Sequence, residues 1–140
     1  MMALHWQEVE RDQGDVAFAP LWDSWRRYEK DGMLRIAVVR IAGRMVGYNG
    51  FMVHRGLLFG HTLIASNVGV YVEPEHRGWP GLKLIRESER MLAVLDHTVR
   101  VSYAIKPYVH IGAKSGTLGT LLGRLGYRHD EEVFTKLVRG

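Results

Sequence analysis

The chain contains no cysteine. That absence excludes a disulfide framework, a thiolate metal site and any route that parks an acyl group on an enzyme thiol, and it leaves the compartment open. Long apolar runs are missing too. None approaches the ~20 residues of a membrane span, and residues 1–11 hold no basic segment followed by an apolar core, so the expectation is a cytoplasmic protein with no membrane partner. Strong charge of one sign is also lacking: 19 Lys+Arg against 15 Asp+Glu leave +4, a mild excess that favours an anionic ligand without choosing among nucleotide, nucleic acid and acidic protein. The histidines, at 5, 54, 61, 76, 97, 110 and 129, form no i,i+4 pair and no H-E-x-x-H pattern, so no metal site is expected.

What is present suits one ordinary domain over residues 1–140, because 46% apolar and 24% charged residues can build a single core. Residues 1–18 are ambiguous between strand and helix. From Ala19 and Pro20 a helix is predicted, with Leu21, Trp22, Trp25 and Tyr28 at helical spacing until Gly32. The period becomes two from Leu34, a turn at Ala42-Gly43-Arg44 predicts a hairpin, and breaks at 54–56 and 60–61 precede an extended run over 62–72. A helix is predicted over 81–95, its stripe formed by Leu84, Ser88, Met91 and Leu95 and widened by Ile85 and Leu92. A strand over 99–105, a helix over 118–125 capped by Gly126 and a strand over 133–138 complete an α/β chain: a mixed sheet with helices on both faces.

Between the 62–72 strand and the 81–95 helix lies Glu73-Pro74-Glu75-His76-Arg77-Gly78-Trp79-Pro80-Gly81-Leu82. Glycines let backbone N–H groups turn inward, a helix N-terminus adds positive potential and Arg77 adds a charge, which together make a cradle suited to a pyrophosphate. Similar loops join strands to helices in many proteins that bind nothing, so the loop by itself is weak evidence.

The segment Val72-Glu73-Pro74-Glu75-His76-Arg77-Gly78 resembles the "V-x-P-x-x-R-G" strand end and diphosphate loop of the GNAT superfamily of N-acetyltransferases. Gly43-Arg44-Met45-Val46-Gly47-Tyr48 resembles that family's upstream hairpin, and Leu125-Gly126-Tyr127 with Glu132-Val133-Phe134-Thr135-Lys136 its ending. The co-occurrence across residues 34–138 is most similar to the phage and prophage branch. It implies a central, mostly antiparallel sheet flanked by helices, acetyl-CoA as cosubstrate and no metal. It also implies direct transfer to a primary amine on a small molecule or protein. A homodimer is compatible with it, and nucleic acid is a less favoured partner that stays open. Two departures stand out. Pro80 sits where a loop glycine is usual and brings no N–H, and Leu121, Leu122 and Gly123 occupy the window where many relatives place a tyrosine acid.

Within that resemblance Val70, Tyr71 and Val72 would hold pantetheine and the thioester carbonyl, with Gly69 fitting a bulge. Arg77, Gly78, Trp79, Gly81 and Leu82 would hold the diphosphate. Glu73, His61 and Glu75 are the candidate bases, although a residue of this kind is more often a solvated loop residue. Tyr108 leads the replacement acids, ahead of Tyr103, His110 and Ser115, since a phenol with pKa ~10 stays protonated at neutral pH. Lys106 reads as solvated or as a contact to substrate or cofactor. Trp22 and Trp25 read as core aromatics or as the lining of an acceptor cleft.

Overall fold

The β-branched alternation that begins at Leu34 forms a hairpin in the computed structural model, which describes residues 1–10, 13–95, 97–104, 116–131 and 136–138. Strand β1 (Leu34–Ile41) turns through Ala42 and Gly43, both at positive φ (49° and 81°), into β2 (Arg44–Arg55). Two consecutive positive φ values match the twist of a two-residue hairpin turn. β2 pairs antiparallel with β3 (Thr62–Val72), and β3 pairs parallel with β4 (Thr98–Ser102), giving the order β1-β2-β3-β4. A parallel pair needs a crossover, supplied by helix α3 (Trp79–Ala93).

Helix α3 buries Leu84, Ile85, Ser88 and Leu92, the expected stripe, and Leu92 closes a core cluster with Phe51, Val53 and Ala65 of β2 and β3. Burying each large apolar side chain there contributes roughly 1.5–3 kcal/mol. Helices α1 (Met2–Val9) and α2 (Trp22–Lys30) bury no residue completely. Neighbouring residues of β2 show where they lie. Asn49 bonds Ser88 of α3, whereas Tyr48 bonds His5 of α1, and successive strand side chains point to opposite faces. The sheet is therefore covered on both sides, a mixed α/β architecture with a mostly antiparallel centre.

Helix α4 (Gly116–Arg124) ends in a Schellman turn: Gly126 has φ 91°, Tyr127 N–H donates to the Leu122 carbonyl at 3.0 Å and Gly126 N–H to that of Gly123 at 3.1 Å. Several boundaries differ from expectation: β4 ends at Ser102, α3 ends at Ala93 and α4 starts at Gly116. The ambiguous N-terminus contains α1, α2 starts at Trp22 after Pro20, and α3 starts at Trp79 because Pro80 fits its first turn. Of the expected last strand, 133–135 lie outside the described residues and 136–138 have no regular secondary structure.

Candidate functional site

Pairing of β3 with β4 stops at Ser66↔Ser102, while β3 continues to Val72. Just beyond that point the β2–β3 register steps from Phe51↔Asn67 to Gly50↔Gly69, leaving Val68 as a bulged residue beside Gly69. From there β3 presents an edge that β4 does not cover among the described residues. Glu73 N–H donates to the Val46 carbonyl of β2 at 2.9 Å, so alternation turns the N–H groups of Val72 and Val70 away from β2, toward that edge. The Val72 carbonyl faces the same way and accepts Arg77 Nε at 2.9 Å. Of the two candidate carbonyl holders, Val70 has its N–H on the open edge and Tyr71 has its on the β2 side.

A 3-10 turn (Pro74–His76) carries the chain from this strand end to Gly78, the N-cap of α3 at φ 118° and ψ −122°. That backbone conformation is open essentially to glycine alone. No side chain caps α3, and Pro80 has no N–H to offer, so Trp79 and Gly81 supply the donors of its first turn. Leu82 N–H is already used, donating to the Gly78 carbonyl at 3.0 Å, which leaves Leu82 only its side chain for a ligand. At Gly81 an added Cβ would meet nothing nearer than Val72 Cγ2 at 3.9 Å; the fold itself does not demand glycine there. Such a donor-rich, uncrowded helix start fits a diphosphate. Trp79 stands 70% exposed beside it.

Arg77 is the exception within the expected cradle. Its Nη2 donates to both carboxylate oxygens of Glu8 on α1, each at 2.6 Å, and the guanidinium lies 5.7 Å from the Tyr71 ring centroid. It ties α1 to the strand end.

On the α1 face, His5 Nδ1 stands 2.6 Å from the Tyr48 hydroxyl and the His5 ring stacks on Tyr71 with centroids 5.4 Å apart. Burial, then Tyr71, pushes the Tyr48 hydroxyl up to about 12, and burial followed by Glu8 raises Tyr71. On the α3 face, Asn67 donates to Asn49 Oδ1 at 2.7 Å and to the Gly50 carbonyl at 2.9 Å, across the bulge. Asn49 in turn donates to Ser88 and to the Tyr103 hydroxyl, each at 2.9 Å. Burial raises Tyr103 to about 12, with the Asn49 bond opposing, and raises Tyr127, which also bonds Glu89. These hydroxyls are proton donors at neutral pH.

The expected bases separate. Glu73 adjoins the open edge, its Oε1 accepting Arg44 Nη1 at 2.8 Å and its Oε2 buried without a hydrogen-bond partner. Glu75 is exposed in the turn. His61 lies away from Glu73: it precedes β3 and Glu73 follows it, so the length of the strand separates them, and His61 stands beside a tip where Leu57, Leu58 and Phe59 are exposed. Glu73, Glu75 and His76 bring ligand atoms within 4.8 Å of one another, but Arg44 already supplies a cation there, with Nη2 3.4 Å from His76 Nε2. Trp22 and Trp25, ring centroids 6.1 Å apart, sit on α2 against outer strand β1, with β2 intervening before β3. At 46% exposure Trp22 is not a core residue, and Trp25 is half-buried. Lys106, Tyr108, His110 and Ser115 lie outside the described residues. Sequence reasoning passed over His5, Asn49 and Asn67, because contacts across 43, 39 and 18 positions leave no local pattern.

No protein-family model and no curated protein matches this sequence. Solved structures do match in shape. An aminoglycoside acetyltransferase from an uncultured soil metagenomic sample has a TM-score of 0.70 at 16% identity, over 91% of this chain and 80% of that one. The ribosomal-protein-alanine N-acetyltransferase from Brucella melitensis biovar Abortus 2308 gives 0.65 at 14%, over 98% and 88%. A transcriptional regulator from Bacillus halodurans C-125 gives 0.73 at 13%, over 98% and 91%. Identities this low carry architecture and no more. In architecture the chain has a GNAT-like α/β fold, a mostly antiparallel central sheet flanked by helices with α3 as the crossover.

Proposed function

We propose that the domain transfers the acetyl group of acetyl-CoA directly to a primary amine in a ternary complex, without a metal or an acyl-enzyme. The carrying observation is that, among the described residues, nothing pairs with the edge of β3 past Ser66↔Ser102, at whose end α3 starts without a side-chain cap. An extended pantetheine arm would pair with that edge as a strand does, the Val70 N–H would polarise the thioester carbonyl, and the N–H groups of Trp79 and Gly81 with the Gly78 turn would take the diphosphate. The absence of cysteine supports direct transfer. The placement with the phage and prophage branch rests on motifs alone.

Two structural neighbours are named for acetylation of quite different acceptors, an aminoglycoside and a ribosomal-protein alanine, which agrees with an amine acceptor and does not select one. Tyr108 keeps the role of acid toward the departing thiolate. A second reading, a silent domain that binds a host protein or nucleic acid, draws support from the hydroxyl-free stretch Leu121-Leu122-Gly123 on α4 and from the Arg77–Glu8 pair.

Calorimetric titration with CoA, run beside thiol release from acetyl-CoA over lysine peptides, polyamines and aminoglycosides, separates the two. Binding with release matched by acetylated amine is expected. Binding without turnover favours the silent domain, and no binding removes the cofactor site altogether.

A further inference from the structure

We infer that Asn67 of β3, anchored by Asn49 of β2, is a positioning residue that locks the bulge and so holds the Val70 N–H on the thioester carbonyl; the assignment rests on the acetyl-transfer reading above. Asn67 and Tyr103 are the first residues beyond Ser66↔Ser102, the last pair that joins β3 to β4. Asn49 bridges them. Its Oδ1 accepts from Asn67 Nδ2 at 2.7 Å, and its Nδ2 donates to the Tyr103 hydroxyl at 2.9 Å. The same Nδ2 donates to Ser88 of α3 at 2.9 Å, and Asn49 is 0% exposed. Side chains from β2, β3, α3 and the end of β4 thus meet on one buried amide, at the point where the two strands part.

A bulge interrupts the ladder, and a slip of one residue would reverse which backbone groups of the following segment face β2. The Asn67 amide spans that break. Its Nδ2 donates to the Gly50 carbonyl at 2.9 Å and stands 3.4 Å from the Gly69 carbonyl, and Gly50↔Gly69 is the first pair past the step. Val70 comes next, paired with Asn49 itself. The polarity of both amides is fixed by their neighbours. Ser88 spends its only proton on the Leu84 carbonyl at 2.8 Å, so its Oγ accepts from Asn49. The Asn49 oxygen therefore faces Asn67, which must donate there, and the Gly50 carbonyl demands a donor from Asn67 as well. Neither a hydrocarbon nor a carboxylate at 67 supplies the two donors. Asn67 acts through Val70: a carbonyl held by the Val70 N–H gains negative charge in the transition state, and a donor displaced from that oxygen stabilises it less.

The test compares Asn67→Ala and the nearly isosteric Asn67→Asp with wild type and with Val53→Ala, which loosens the core cluster without touching these amides. It uses acetyl-CoA and the amine of the panel that wild type turns over fastest, with CoA affinity and thermal midpoint measured alongside. Both variants at 67 should lose roughly 10²-fold in kcat, while CoA, which lacks the acetyl carbonyl, binds within about three-fold of wild type. Val53→Ala should lower the thermal midpoint and keep kcat within about three-fold. A second readout needs no turnover. With acetyl-CoA carrying carbon-13 at the carbonyl and no amine present, the bound resonance should lie downfield of the free thioester in wild type and Val53→Ala, and move back toward the free value in the variants at 67. Where a variant at 67 does not fold, Asn67→Ser carries the same expectation, since one hydroxyl proton cannot serve two acceptors. Near-normal kcat or an unmoved resonance in a folded variant at 67, or an equal loss of kcat in Val53→Ala, would overturn the assignment. CoA binding without wild-type turnover, or no CoA binding, sinks the acetyl-transfer reading and this proposal with it.

Discussion

Gly78 and Gly81 look alike in sequence and do different work. At φ 118° Gly78 satisfies the backbone, so Gly78→Ala should cost about 1–3 kcal/mol of stability, readable in a urea midpoint. Gly81 lies in open space, so Gly81→Ala should be silent in stability and Gly81→Glu should stay folded while CoA binding is lost in calorimetry. Unchanged CoA affinity in Gly81→Glu would remove the helix start from the site. The buried tyrosines give a second expectation. Tyr48 has a folded pKa of about 12 against 10.0 unfolded, so the native state keeps a proton that the unfolded chain releases. Stability should be full below pH 10 and fall as pH rises toward 12, by about 2–3 kcal/mol for this residue at the upper end. Denaturant melts between pH 8 and 12 should show the fall, and Tyr48→Phe should flatten it. Because Tyr103 shares the same elevation, part of the slope should persist in that variant.

Among the elements, the first turn of α3 and the docking of α1 invite direct tests. Pro80 occupies a helix position whose N–H has no internal partner, so Pro80→Ala should leave the thermal midpoint nearly unchanged. It also adds a donor where the diphosphate is proposed, and CoA should bind equally well or several-fold more tightly. Weaker binding would mean that proline shapes the loop. Helix α1 is pinned by Glu8 on Arg77; Glu8→Gln removes a negative charge from the loop and frees the guanidinium, so CoA affinity should rise several-fold in calorimetry, an increase that salt suppresses. On α2, the exposure of Trp22 predicts that Trp22→Ala shifts the thermal midpoint by little. If α2 borders the acceptor, the acceptor KM should rise several-fold while CoA affinity holds. Helix α3 is legible in the sequence, since its apolar stripe has the helical period. Helix α1 is not, because its eight residues bury no side chain completely and its anchors, Tyr48, Tyr71 and Arg77, come from distant strands.

Across the whole molecule, the determinants divide by range. Local chemistry in the chain determined the hairpin at Ala42-Gly43, the strands that follow, the buried stripe of α3 and the Gly126 cap, because period-two and helical patterns and positive-φ turns are properties of neighbouring residues. The same local rules placed glycines where the strand bulges and where α3 begins. Only the tertiary structure decided which groups meet. It sent His61 to the far end of β3 and gave Glu73 to Arg44, and it turned Arg77 toward Glu8. It also set His5 against Gly69 and threaded Asn67, Asn49, Ser88 and Tyr103 into one buried chain of hydrogen bonds. Sequence patterns record which face of an element is apolar, whereas a polar contact depends on the register and crossing of elements tens of residues apart.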